Sequence, residues 1–254
     1  MKNYAKPLWY LVCFLMIQVL VPIIINFVWG LVSGNADITP MKLIVATSVT
    51  NIIAIALFFG LRWTPFTRAY MQSHPWGVLF WTAVASFGVV IPSMGLQELM
   101  PELPNFVEDE FDGILSNRWG YLAIAILAPV AEEAVFRGAI LRSLLQHVRP
   151  VLAIVLSALL FALIHMNPAQ LPHAFLVGLL LGWIYYRTGS IIPTILYHWV
   201  NNTVAYVTYN LLPQAQDLRL IDLFGSQSRV LLAVLFSQMI LVPALYQLHL
   251  RMKR

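Results

Sequence analysis

Charge is what this chain has least of: 15 Lys and Arg and 11 Asp and Glu in 254 residues, 10% in all, against roughly a quarter in soluble domains. That is too little to coat a water-soluble body. No basic face exists to hold a nucleic-acid backbone, so the excess of four positive charges reads as a bias between loops, and nucleic acid is excluded as a partner. Cysteine is almost missing. The lone Cys13 lies in an apolar run, which rules out an intrachain disulfide and any multi-cysteine metal site. Two hydrolase signatures are absent as well. There is no Gly-x-Ser-x-Gly elbow, Ser143, Ser157 and Ser190 have no adjacent base, and no His-Glu-x-x-His pair occurs for a zincin-type site.

What the chain has is apolar length: 60% of its residues are hydrophobic. Runs long enough for a bilayer-crossing helix fall near 8–32, 42–60, 77–96, 119–141, 150–166, 170–186, 190–212 and 229–249. The expectation is an all-α, polytopic membrane protein of about eight transmembrane helices, one integral domain over 1–254, with a functional core in 119–212. The first run follows Lys2 and Lys6, exceeds a signal-peptide core and has no small-x-small site after it, so it reads as a retained span. With a cytoplasmic N-terminus, inside segments carry ten Lys and Arg, Lys2, Lys253 and Arg254 among them, against Lys42, Arg118, Arg219 and Arg229 outside. Both termini are therefore expected in the cytoplasm, and the setting expected is a bacterial inner membrane. The third loop gathers Glu98, Glu102, Glu108, Asp109, Glu110 and Asp112 and reads as a solvated connector. Trp63, Trp76, Trp119, Tyr185 and Tyr186, near span ends, fit aromatic belts. No repeat or low-complexity tract is present.

Charge inside such runs is costly and marks function. Glu132-Glu133-Ala134-Val135-Phe136-Arg137 places two carboxylates and a guanidinium there. Positions i and i+4 share a helix face, so Glu133 pairs with Arg137 as a buried brace, while Glu132 projects elsewhere as a free base. His165 closes the fifth run. His198 and Asn202 share a face of the seventh and need partners from other helices or a polar cavity. Glu132 with His165 can draw a proton from water, and His198 with Asn202 can donate to a developing oxyanion, a set suited to peptide-bond hydrolysis. Zinc held by Glu132, His165 and His198 is the alternative, but it would leave no evident base, since Glu133 is spoken for. His173, beside Pro172, reads as interfacial. His74, His147 and His249 read as solvated, and Gly178-x-x-x-Gly182 as close packing within the bundle.

Glu132-Glu133-x-x-x-Arg137, Phe161-x-x-x-His165 and His198-x-x-x-Asn202 together resemble the signature motifs of the CPBP intramembrane proteases, a group including CAAX prenyl endopeptidases and Abi-like bacteriocin-processing or immunity proteins. The likeness runs from about 121 to 204. It implies an eight-helix bundle around a water-filled intramembrane cavity, in which Glu132 and His165 activate water and His198 and Asn202 stabilise the oxyanion. Members have been described both as metalloproteases and as glutamate-dependent proteases. The implied activity is endopeptidase cleavage of a membrane-associated or lipidated protein or peptide, with membrane lipid as the other partner. Two competing readings are a non-enzymatic immunity or scaffold protein of the same fold and a proton-coupled carrier.

Overall fold

The computed structural model describes residues 5–34, 37–66, 68–101, 103–212 and 219–252. Lys2, Glu102, Lys253 and Arg254, used above for loop charge, lie outside the described residues. Within them the chain is all-helical, without a strand. In order come α1 (Ala5–Ser33), α2 (Pro40–Gly60), α3 (Trp76–Leu99) and a short α4 (Glu108–Leu115). A continuous helical run over 121–144 is α5; it is followed by α6 (Pro150–Leu163), α7 (Leu171–Thr188), α8 (Ile192–Leu211), α9 (Leu220–Phe224) and α10 (Gln227–Arg251).

Among the described residues, α1, α2, α3 and α10 are long and apolar enough to cross a membrane. The other four runs read as spans from sequence are helical but shorter or more polar: α6 has 14 residues, and α7 and α8 carry His173, His198 and Asn202. The outer faces of α1 and α10 are bare hydrocarbon, with Ile23, Phe27, Leu31, Phe236 and Met239 all more than half exposed. An apolar face of that extent needs lipid against it.

Helix α5 is irregular for a reason in its sequence. Tyr121–Leu127 and Ala134–Leu141 are π-helical, with α-helical Ala128–Glu133 between them. Ala128 N–H bonds back to Ala123 O. In that register the carbonyl of Ile124 looks toward residue 129, which is Pro129 and has no N–H to give. Side chains from neighbouring helices take up the slack: Asn202 Nδ2 donates to Ile124 O at 3.0 Å and Asn51 Nδ2 to Ala123 O at 3.5 Å. In the second π segment, Thr64 Oγ1 donates to Ala134 O at 2.5 Å and Ser157 Oγ to Phe136 O at 3.1 Å. The same logic joins α3 to α10. Pro92 withholds the N–H that would bond Gly88 O, and Ser237 Oγ donates to it instead at 2.7 Å. The small-residue pair packs as expected: a Cβ at Gly178 would stand 3.0 Å from Ala158 Cα, and one at Gly182 would stand 2.9 Å from Ile154 Cγ2.

Three surface expectations need correction. The acidic loop is not a free connector, because α4 buries Ile114 and Leu115 against α2 and α8 side chains such as Ile44 and Tyr206. Tyr185 is not a belt residue; it is 5% exposed and packs with Leu141, Ala153 and Ile191. His147 is half-buried, its Nδ1 donating to Ser143 O at 2.7 Å.

Candidate active site

A cavity of about 650 Å³ lies within the helices, walled by residues of α1 to α8. At and behind its wall, α5 and α8 bring Glu132, Glu133, Arg137 and His198 together, of which Glu132 and His198 line the cavity. Arg137 Nη1 donates to Glu133 Oε1 at 2.7 Å, both side chains fully buried. Arg137 Nη2 donates to Gly178 O at 3.3 Å, and its guanidinium stacks 4.4 Å from the Phe161 ring centre. The missing side chain at Gly178 is what lets α7 lie close against α6, where a Cβ would meet Ala158. Glu133 Oε1 also accepts from His198 Nδ1 at 3.1 Å. One carboxylate oxygen thus holds a cation from its own helix and an imidazole from another.

That bond orients His198. Since a carboxylate only accepts, Nδ1 carries the hydrogen, and Nε2 points to the opposite side. There it lies 3.8 Å from Glu132 Oε2, an oxygen that is buried and has no hydrogen-bond partner among the described residues. The gap is too long for a direct bond and short enough for both groups to hold one water jointly.

His165 lines the same cavity. Its Nδ1 donates to Phe161 O at 2.8 Å, one turn back along α6, which again commits Nδ1 as donor and leaves Nε2 available. Asn202 is also on the wall, but one amide hydrogen is held by Ile124 O and its Oδ1 receives Asn201 Nδ2 at 3.4 Å. The imidazole beside Glu132 is therefore that of His198, where sequence had suggested His165. His173 is the residue that sequence discounted. It sits in the cavity wall with His165 and His198, its Nδ1 2.5 Å from Ser93 Oγ. The signal was its spacing of four and eight residues from Val177 and Leu181 on the buried face of α7, masked by the adjacent Pro172.

The donors do not fit zinc. Both His165 and His198 have Nδ1 fixed as a metal ligand's would be, yet no three His, Cys, Asp or Glu side chains among the described residues form a group able to hold a metal ion. Glu132, His165 and His198 do not make such a set.

Against this geometry, one family model matches. Residues 114–204 match the model described as Rce1-like, type II CAAX prenyl endopeptidase. This is a family of proteases, consistent with the CPBP resemblance of the motifs. The Rce1-like segment begins at the end of α4 and ends within α8, so it takes in every charged or imidazole group of the cluster. It covers a little over a third of the chain and leaves α1, α2, α3 and α10 outside. Neither the curated proteins nor the solved structures yield a match.

Proposed function

We propose that this protein is an intramembrane endopeptidase that hydrolyses a peptide bond in a membrane-associated protein or peptide, of CAAX type or leader type, using water activated at Glu132. The observation that carries the reading is the buried, unpartnered Glu132 Oε2 facing His198 Nε2 at 3.8 Å. Glu132 takes a proton as the water oxygen attacks the substrate carbonyl. His198, held by Glu133, carries a proton on Nε2 to meet the developing oxyanion, with the second amide hydrogen of Asn202 beside it. His165 Nε2 lies along the wall for the leaving amine, which takes up the proton drawn from water. Glu133 and Arg137 hold this geometry. The reading includes eight membrane crossings with both termini cytoplasmic, supported by helices in all eight apolar runs.

The test uses the full chain in liposomes with a panel of lipidated C-terminal peptides and leader peptides. Glu132→Ala and His198→Ala each abolish cleavage while thermal unfolding stays near wild type. Full turnover by Glu132→Ala would sink the proposal. So would a wild type that cleaves nothing yet protects cells from a toxin equally well as Glu132→Gln, the outcome expected of a scaffold or immunity protein.

A further inference from the structure

The cavity wall is unusual in what neutral polar groups it collects. Eight of its lining residues are carboxamides: Gln18, Asn51, Gln97, Asn105, Asn167, Gln170, Asn201 and Asn202, drawn from positions spread over most of the chain. No Lys or Arg lines it. Several of the eight are engaged in the protein's own architecture. Asn51 and Asn202 cap carbonyls of α5, and Asn167, fully buried, bridges to Asn105 Oδ1 at 2.8 Å and accepts from Phe106 N at 3.1 Å. Gln18 and Gln170 are different. Neither side chain has a hydrogen-bond partner among the described residues, and both residues are only partly exposed, on the cavity side. Gln18 is especially out of place. It sits mid-way along α1, the most apolar of the four long membrane-spanning helices among the described residues, one turn after the fully buried Phe14 on its inward face. Pro22, four residues on, also withholds the N–H that would bond the carbonyl of residue 18.

A carboxamide offers two donors and one acceptor without charge. A substrate in helical form has its backbone groups paired internally and needs none of these, whereas an extended segment brought out of water needs a partner for each N–H and C=O. We infer that Gln18 and Gln170 form a backbone-binding subsite, and that the cavity takes an extended, uncharged peptide segment recognised through its main chain rather than by a charged side chain or a terminal carboxylate. The inference rests on the peptidase reading and names its substrate class. A carboxylate end would meet no permanent cation on the wall, because the only buried guanidinium of the site, Arg137, is committed to Glu133.

The experiment reconstitutes the full chain in liposomes with a synthetic library of 14-residue peptides, randomised at inner positions, each with a free and an amidated C-terminus. Cleavage is read by mass spectrometry. Cleaved bonds are expected to lack charged residues on either side, and amidated and free peptides to be cut alike. A single N-methyl group on a backbone amide next to the cut should lower cleavage by about tenfold, the loss of roughly one hydrogen bond. Gln18→Leu and Gln170→Leu should each raise KM by about tenfold with kcat and thermal midpoint retained, and the lipid-exposed Asn26→Leu should change nothing. Unchanged KM in both glutamine variants, or a strict need for a charged residue or free carboxylate, overturns the inference while leaving the peptidase standing. No cleavage above the Glu132→Ala background overturns the peptidase reading and the inference with it.

Discussion

At the scale of single residues, the two adjacent glutamates differ in what they touch. Glu133 is fully buried and holds Arg137 and His198 with Oε1, its Oε2 being unpartnered, whereas Glu132 makes no such ion pair with Arg137 and lines the cavity, also with an unpartnered Oε2. Removing one member of a buried ion pair strands the other charge, a cost of about 3–5 kcal/mol. Glu133→Gln is therefore expected to lower the thermal midpoint sharply and to lose activity as a consequence. Glu132→Gln keeps shape and removes only the base, so it should unfold like wild type while turnover falls by roughly 10²–10⁴-fold. Equal destabilisation of both variants in a detergent melting assay would refute the division of roles. Sequence anticipated the Glu133–Arg137 pair because i and i+4 face the same way on any helix. It did not reveal that His198 would be clamped between both glutamates, since that depends on how α8 docks on α5.

At the scale of elements, α5 is held by donors from its neighbours. Its π segments alter the usual carbonyl register, and Asn51, Thr64, Ser157 and Asn202 donate to four of its carbonyls. Gly138 belongs to this arrangement, because a Cβ there would stand 2.2 Å from Thr64 Cγ2. Gly138→Ala should then cost about 1–3 kcal/mol, as overpacking does. Thr64→Val, which removes the side-chain donor to the Ala134 carbonyl, should cost a comparable amount. Both are checked by thermal unfolding, and near-additive losses in the double variant would argue against a shared contact. The latch at Asn167 is the other element-level device. Asn167 ties Asn105 and Phe106 to the α6–α7 turn, and Ala169 N adds a bond to Pro104 O at 3.3 Å, so residues 103–107 lie over the cavity. Asn167→Leu is expected to speed protease nicking of 103–107 at least several-fold with the helices intact by circular dichroism; wild-type nicking rates would show the bridge to be idle.

At the scale of the whole molecule, α1 and α10 turn apolar faces outward while Glu133, Arg137 and His198 are buried within. With eight crossings, reporters fused to either terminus should both read as cytoplasmic, and a reporter placed after α4 should read as external. A split result for the two termini would require an odd number of spans. Composition alone determined that the chain is helical and embedded in lipid, because so little charge leaves no other solvent for its surface. The spacing of Glu133 and Arg137, and of His198 and Asn202, likewise followed from helical geometry. What only the tertiary structure decided is which of these faces meet. A helix's periodicity fixes the angle between its own side chains, but not the docking of another helix against it. That docking turned His173 inward, folded the acidic α4 over the cavity, and put the imidazole of His198 beside Glu132.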